Sequence, residues 1–256
     1  MTARQHTGVL PRPSPATALM ASLLPARAVA AEAFGDGHDE DWFGQLLPAE
    51  ARLMAGAGEK RRRDFAGARV CARRALRTLG YAPVPLLPGP RGEPRWPDGV
   101  VGSLTHCAGY RAAVVARPGP GLAGVGIDAE PHAPLDADVL EMVASPAERA
   151  HLALLARTRP GVHWGRLLFC VKEAVFKAWY PAARCELGFL EAEVRFTPGG
   201  PHSTHGPHST HGARGAYGTH GMHGTVTATL TRAGPFTAVS GRWRVAGGVI
   251  ATAVVI

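Results

Sequence analysis

The sequence predicts an α+β protein made of two similar halves, and three observations lead to this prediction. Helical patterns and strand-like runs follow one another in the order helix, strands, helices, strands. A turn-rich stretch near residues 117–121 joins the two series. The 256 residues are 46% hydrophobic and 19% charged, which suits one substantial core or two smaller ones.

The first half opens with a helix in the segment GEKRRRDFAGARVCARRALRTLG, and Gly80 supplies its stop signal. The following YAPVPLLPGPRGEPRWPDG contains too many prolines and glycines for a long helix. Three strand-like runs come next: VVGSLTH, YRAAVVARP and GLAGVGIDAEP. The apolar residues that recur at helical spacing in the first segment are Phe65, Ala68, Ala72, Leu76 and Leu79.

The second half begins with two helices and ends in strands. Ser145–Glu148 (SPAE) matches a capping box with proline at the first helical position. A longer helix is expected from about His163 to Trp179, with its stop near Pro181. The strand-like runs that follow are EAEVRFTP, TVTATLTR, FTAVSGRWRV and GVIATAVVI.

The predicted organisation has four parts. Residues 1–18 are rich in proline, serine and threonine and are expected to be a disordered leader. The N-terminal half covers 19–118 and the C-terminal half 119–256. Within the latter, the tandem repeat PHSTHG lies in a His/Gly-rich insert at 201–223, interpreted as a loop between two strands. Weak chelation of Ni²⁺, Cu²⁺ or Zn²⁺ is the alternative interpretation of the insert.

Cysteine usage and hydropathy favour a cytoplasmic protein. The four cysteines are scattered without a CxxC pair, so neither a disulfide framework nor a zinc ribbon is predicted. The run from Leu19 to Ala31 imitates a signal peptide, but Pro25 and Arg27 interrupt it. We find no apolar run of the roughly 20 residues that a membrane span needs.

The stretch VGIDAEPH places two acids two positions apart at the end of a buried strand. On a strand, Asp128 and Glu130 point to the same face while Ala129 points away. Two carboxylates aimed at one point suit Mg²⁺, which uses one or two carboxylates together with water and substrate phosphates. The alternative is a strand end that merges into a solvated turn, since Pro131 follows directly.

The stretch FCVKEAVFKAWYP carries a Glu–Lys pair among aromatic residues on one side of a helix. The opposite stripe is apolar and predicts packing against a core; it consists of Trp164, Leu167, Leu168, Val171, Val175 and Ala178. The aromatic stripe predicts a cleft or an interface between the halves, with an ordinary i,i+4 salt bridge as the alternative. This stripe consists of Phe169, Glu173, Phe176, Lys177 and Tyr180.

The first helix is strongly basic and suggests phosphate binding. Eight of the 28 Lys and Arg residues lie between Lys60 and Arg77, and the net charge of +8 favours an acidic partner. Arg61 and Arg69 share a stripe with Phe65, so they border the core and can act as pre-organised phosphate clamps. Carboxylates for Mg²⁺ and arginines for phosphates together indicate chemistry on a polyphosphate, without a P-loop motif.

Three segments resemble the Sfp-type 4′-phosphopantetheinyl transferases, in the actinobacterial branch that includes the mycobacterial enzyme. They are GEPRWPDGVVGSLTHCAGYRAAVVA, GVGIDAEPHAPL and LLFCVKEAVFKAWYP, and the likeness extends from about Leu19 to Ile256. The resemblance implies two pseudo-symmetric halves with the active site at their junction. It also implies a monomer that, with Mg²⁺, moves the phosphopantetheine arm of coenzyme A to a serine of an apo acyl or peptidyl carrier protein, releasing 3′,5′-ADP.

The resemblance also assigns roles to individual residues. Asp128, Glu130 and Glu173 match the Mg²⁺-binding acids, and Lys177 matches the lysine that contacts the coenzyme A phosphates. The expected catalytic residues are Glu173, as the base that takes the serine proton directly or through a water, and Lys177, which stabilises the developing charge. Relatives can carry a lysine where this chain has Pro88, so Arg91 is the candidate to replace it. Helix spacing, rather than the resemblance, makes Phe169, Phe176 and Tyr180 the candidates to wall the pantetheine arm. The residues expected to bind coenzyme A are Arg61, Arg69, Arg91, Thr105, His106 and Lys177.

Two other classes of function stay open on the sequence alone. A nucleic-acid binder would use the Arg-rich helix and would need neither Glu173 nor a metal. A metal-buffering protein would depend on the histidine repeat. Within the enzyme class, a small trimeric carrier-protein synthase is the alternative, although its chains are about half this length. The basic surface fits an acidic carrier protein, while neither nucleic acid nor a membrane is an expected partner.

Overall fold

The computed structural model describes residues 18–35, 41–199 and 222–256. The predicted leader at 1–18 therefore lies outside the described residues, apart from Ala18. The predicted insert at 201–223 also lies outside them, apart from Met222 and His223, with which a strand begins.

The described residues form five α-helices and eight strands. The helices are α1 (Pro48–Leu53), α2 (Glu59–Thr78), α3 (Ala137–Val143), α4 (Pro146–Thr158) and α5 (Trp164–Ala183). The strands are β1 (Val29–Phe34), β2 (Val101–Cys107), β3 (Tyr110–Ala116), β4 (Val125–Pro131), β5 (Ala192–Pro198), β6 (Met222–Leu230), β7 (Ala238–Ala246) and β8 (Val249–Val255). Two 3₁₀ turns, Ala21–Leu23 and Phe189–Glu191, complete the set.

Each half packs a 20-residue helix against an antiparallel sheet. In the N-terminal half, α2 packs on a three-stranded sheet of order β1-β3-β2. In the C-terminal half, α5 packs on β4 and β8 of a five-stranded sheet of order β4-β8-β7-β6-β5. This repetition confirms the predicted α+β fold of two similar halves. The chain crosses from one sheet to the other between β3 and β4.

The apolar stripe of α5 has the burial that its spacing predicts. Its six members are at most 3% exposed and pack into the core of the C-terminal half. The helix continues to Ala183, two residues beyond Pro181, so it ends near Pro181 as predicted, with the proline in its last turn. There proline costs one backbone hydrogen bond only, and the Arg184 N–H still bonds to the Tyr180 carbonyl. Arg184 then ends the helix in the left-handed conformation, with φ of 53°.

The segment that imitates a signal peptide is part of the folded N-terminal half. Leu19 and Met20 are buried, and β1 forms the far edge of the three-stranded sheet by pairing with β3. The Glu32 carboxylate accepts hydrogen bonds from the N–H groups of residues 19–21 and from the Tyr110 hydroxyl. This carboxylate therefore anchors the incoming chain to the sheet.

Two further observations concern the predicted environment. None of the helices in the described segments is long and apolar enough to cross a membrane. All four cysteines are free thiols; Cys71 and Cys170 are buried, and Cys107 and Cys185 are half-buried.

Candidate active site

The two sheets meet where the edge strands β2 and β4 lie side by side. Ser103 and Thr105 of β2 are each 3% exposed, and their hydroxyls face β4. The Ile127 N–H donates to the Ser103 hydroxyl at 3.1 Å, and the Ala129 N–H donates to the Thr105 hydroxyl at 2.9 Å. We call this contact the hydroxyl seam. It places the acid pair of β4 against the N-terminal half.

A glycine in β4 allows α5 to approach the acid pair closely. A Cβ atom at Gly126 would overlap the Ala174 carbonyl oxygen and lie 2.7 Å from the Ala178 nitrogen. Because only a hydrogen atom stands there, the next residues of β4 reach side chains on the same helix. Lys177 Nζ donates to Asp128 Oδ1 at 2.6 Å, and the Thr105 hydroxyl donates to the same oxygen at 3.1 Å.

The second acid of the pair also points to α5, as its spacing of two from Asp128 predicts. Arg166 Nη1 donates to Glu130 Oε2 at 3.2 Å. Burial raises the pKa of Glu130, the nearby Asp128 carboxylate raises it further, and Arg166 opposes both effects. The negative charge of Asp128 therefore acts against ionisation of Glu130, and the positive charge of Arg166 compensates for part of this effect.

Glu173 is the third carboxylate on this side of α5. Burial raises its pKa, Lys177 lowers it, and Asp128 raises it. The alternative of a Glu173–Lys177 salt bridge is wrong, because the ion pair of Lys177 is with Asp128. Burial lowers the pKa of Lys177, but the charges of Asp128 and Glu173 outweigh this and the pKa lies above its ordinary value. Lys177 is therefore an ammonium between two carboxylates.

The three carboxylates of Asp128, Glu130 and Glu173 are ligands of the kind that a divalent cation takes, but they do not converge on one point. Asp128 Oδ2 is buried and accepts no hydrogen bond of normal distance and angle. Burial raises the pKa of both Glu130 and Glu173, and the charge of Asp128 adds to the rise in each. Across the described segments, no three His, Cys, Asp or Glu side chains form a metal-ligand group. Lys177 and Arg166 are bound to two of the three carboxylates instead.

A cavity of about 260 Å³ opens beside Glu173. Its walls come from α5, from the turn after α5 and from the loop before β2, which contributes Arg91. Of the aromatic residues in the stripe, Phe176 lines it, whereas Phe169 and Tyr180 do not; Phe169 packs on Phe189 and Tyr180 on Phe176, with ring centroids 5.9 and 5.8 Å apart. Glu173 and Phe176 are therefore the members of the stripe that face this cavity.

The residues predicted to hold a nucleotide are spread along the other side of the seam. His106 follows Thr105, and its Nδ1 lies 3.9 Å from Asp64 Oδ2. Burial lowers the pKa of His106 although the Asp64 charge raises it, so neutral imidazole is favoured at neutral pH. Asp64 is also bound by Arg111 at 2.7 Å and by Lys60 at 2.8 Å.

The three arginines named from the sequence have different surroundings. Arg69 is 8% exposed, with its guanidinium 3.9 Å from the Phe65 ring centroid, and burial lowers its pKa to about 10. Arg61 is exposed on the first turn of α2. Arg91 Nη2 lies 2.6 Å from Glu186 Oε1, which joins the two halves at the cavity rim. Arg69 thus borders the core as predicted, but Arg61 does not.

Comparison with known proteins gives the same two-part division. The family model of the 4′-phosphopantetheinyl transferase N-terminal domain matches residues 49–116. That of the 4′-phosphopantetheinyl transferase superfamily matches residues 124–228. The chain is 47% identical over 244 residues to the 4′-phosphopantetheinyl transferase Svp of Streptomyces mobaraensis, covering 93% of this chain and 89% of that protein.

Two more relatives are also 4′-phosphopantetheinyl transferases. The chain is 42% identical over 239 residues to the 4′-phosphopantetheinyl transferase PptT of Mycobacterium tuberculosis, covering 93% of this chain and 98% of that protein. It is 50% identical over 178 residues to the 4′-phosphopantetheinyl transferase Npt of Nocardia iowensis, covering 70% and 77%. The chain belongs to the 4′-phosphopantetheinyl transferase superfamily. The predicted resemblance to the actinobacterial branch is thereby confirmed, and the chain is a transferase.

The structure adds three residues to the site of this transferase that the sequence interpretation missed. Arg166 lies seven positions before Glu173, so helical spacing alone placed it on the same side of α5. Lys172 lies in the buried stripe at i+4 from Leu168, and a lysine at such a position indicates a buried ion pair. Ser103 repeats the contact of Thr105 two positions earlier, which strand spacing predicts once Thr105 is known to face β4.

Replacing Thr105 with valine is expected to destabilise the transferase by about 1–3 kcal/mol, because the buried Ala129 N–H loses its acceptor. Valine keeps the shape of threonine, so the loss reflects the hydroxyl. Urea unfolding followed by circular dichroism measures it. The control is Thr78→Val at an exposed helix position, for which little change is expected. Equal stability of the two variants would contradict a structural role for the hydroxyl seam.

Proposed function

We propose that this transferase moves the 4′-phosphopantetheine arm of coenzyme A to a serine hydroxyl of an apo acyl or peptidyl carrier protein. The reaction is proposed to require Mg²⁺ and to release 3′,5′-ADP. The observation that carries the proposal is the position of Glu173. This carboxylate lines a cavity while also facing the Asp128–Lys177 pair.

The cavity is the proposed site of the pantetheine arm. Its volume of about 260 Å³ and its Phe176 and Phe189 walls suit a slender, mostly apolar chain with amide groups. The pyrophosphate end would then lie toward Lys177, and the nucleotide end toward the seam and His106. In this orientation coenzyme A would contact residues on both sides of the junction.

Glu173 is the proposed general base. It would accept the proton of the serine hydroxyl as the serine oxygen attacks the phosphorus that bears the pantetheine arm. The bond from this phosphorus to the bridging oxygen breaks, and 3′,5′-ADP leaves with that oxygen. A carboxylate whose pKa burial has raised is a stronger base than an exposed one. Lys177 would stabilise the charge on the departing phosphate oxygens.

Mg²⁺ is proposed to be held by Asp128, Glu130 and Glu173. When bound, the ion supplies positive charge to the pyrophosphate. The buried Asp128 Oδ2, which accepts no hydrogen bond of normal distance and angle, supports this assignment. Lys177 and Arg166 would hold the carboxylates in place and balance their charge in the free enzyme.

The partner and the compartment are proposed on charge and thiol chemistry. A net charge of +8 favours encounter with an acidic carrier protein. Four free cysteines suit a reducing cytoplasm.

Intact-mass spectrometry of apo carrier protein incubated with the enzyme, coenzyme A and Mg²⁺ tests the proposal. The carrier is expected to gain one phosphopantetheine group, and 3′,5′-ADP is expected in equal amount by chromatography. EDTA should stop the gain and added Mg²⁺ should restore it. A carrier whose serine is replaced by alanine is the control. If neither acyl nor peptidyl carriers gained the group, the proposed function would be wrong.

A further inference from the structure

Lys172, the residue before Glu173, is a buried cation that joins four elements of the C-terminal half. Its Nζ donates to the Val143 carbonyl at the end of α3 at 2.7 Å and to Glu148 Oε2 in α4 at 2.8 Å. The third bond goes to the Phe189 carbonyl in the 3₁₀ turn at 2.7 Å. The three N–H groups of the ammonium are therefore all used, which leaves Lys172 no free donor for a substrate.

Glu148 completes this buried network. The side chains of Lys172 and Glu148 are only 2% and 1% exposed. Glu148 Oε2 also accepts the Ser145 N–H of the capping box, and Oε1 accepts the Val194 N–H of β5. A buried pair of this kind seldom adds net stability over an apolar pair, so net stability alone does not account for it.

The network lies directly against the cavity. Lys172 and Phe189 both line it, next to Glu173. Phe189 belongs to a turn of three residues, whose short length gives it little internal hydrogen bonding to hold its place. The bond from Lys172 to the Phe189 carbonyl ties this wall to the helix that carries Glu173.

We infer that Lys172 is a positioning residue that fixes the Phe189 wall of the cavity, and so sets the affinity for the pantetheine arm without touching the nucleotide. This inference rests on the proposed function, since it takes the cavity as the arm's site. It predicts that loss of the ammonium weakens binding of coenzyme A but leaves binding of 3′,5′-ADP, which lacks the arm, unchanged.

The experiment compares two variants that share one substitution. Glu148→Gln removes the carboxylate charge but leaves the Lys172 ammonium and its bonds to both carbonyls. Lys172→Met/Glu148→Gln removes the ammonium as well, without an uncompensated buried carboxylate. Calorimetric titration with Mg²⁺ present gives the Kd of coenzyme A and of 3′,5′-ADP, and carrier modification gives KM and kcat.

The double variant is expected to bind coenzyme A about tenfold more weakly than E148Q, the equivalent of one lost hydrogen bond. Between the double variant and E148Q, the Kd of 3′,5′-ADP should differ by less than about twofold, and so should kcat. The KM for coenzyme A should rise in the double variant together with its Kd. A merely structural role would give equal coenzyme A affinities, or would weaken both ligands alike, and either result would overturn the inference. Wild-type enzyme that transfers no arm would instead refute the proposed function.

A second variant covers the case in which the methionine form does not fold. Lys172→Leu in the same E148Q background also lacks every N–H group, with a shorter and branched side chain in the buried site. The same split between coenzyme A and 3′,5′-ADP is expected. Equal coenzyme A affinity of the folded leucine variant and of E148Q would overturn the inference as well.

Discussion

Replacing Glu173 with glutamine is expected to lower kcat for arm transfer by about 10²–10⁴-fold, the usual worth of a general base. Glutamine has nearly the same shape, but its amide cannot take the serine proton. The fold should persist, because the buried stripe of α5 is unchanged and Glu173 has only a half-buried side chain. Rates of carrier modification, followed by intact mass under single-turnover conditions, measure the loss.

The matched control is Glu141→Gln on α3, whose carboxylate is exposed. This variant should keep the wild-type rate. Circular dichroism and thermal melting show whether the Glu173 variant is folded. If that variant is folded and retains a rate within about tenfold of wild type, Glu173 is not the base.

Replacing Gly126 with alanine is expected to cost about 3 kcal/mol of unfolding free energy and most of the activity. The added methyl group would meet the backbone of α5 at Ala174 and Ala178. Backbone atoms of a packed helix cannot swing aside as a side chain can, so α5 must move away from β4. That movement separates Lys177 from Asp128, and displacement by about 1 Å is enough to cost about 100-fold in rate.

Gly56→Ala is the control for this substitution. A Cβ at Gly56 meets no atom within 4 Å, and its φ is not in the left-handed region. Urea unfolding of both variants, together with carrier modification, separates stability from activity. A Gly126 variant as stable and active as the Gly56 variant would show that β4 and α5 tolerate a wider separation.

The helices and strands predicted from the sequence are those whose hydrophobic pattern is long enough, or whose flanking turns are clear enough, to show which type of element they form. The 20-residue helices α2 and α5 showed several turns of apolar periodicity, and β2 to β4 were bounded by turns. Helices α1 and α3, with six and seven residues, are too short for a periodic signal. Strand β1 has the sequence VAAEAF, which lacks clear alternation, and it is a strand because β3 pairs with it.

For the site, the spacing of residues along each strand or helix predicted which way the side chains point, but not which residues of other elements they contact. Strand period placed Asp128 and Glu130 on one face, and helix period placed Glu173 and Lys177 together. Spacing within one element carries no information about a second element, so the Lys177–Asp128 pair was not predicted. The same limit explains why Lys172, whose three acceptors come from α3, α4 and the 3₁₀ turn, was missed.

The hydroxyl seam has a consequence for how the transferase can change through mutation. Among the described residues, β2 and β4 belong to separate sheets, and side-chain oxygens of Ser103 and Thr105 stand where a ladder would place backbone carbonyls. Backbone ladder bonds do not depend on which side chains are present, whereas the hydrogen bonds across this seam depend on two hydroxyl groups. A substitution at Ser103 or Thr105 therefore removes a hydrogen bond between the halves while the ladders of both sheets and the apolar cluster shared by the halves remain.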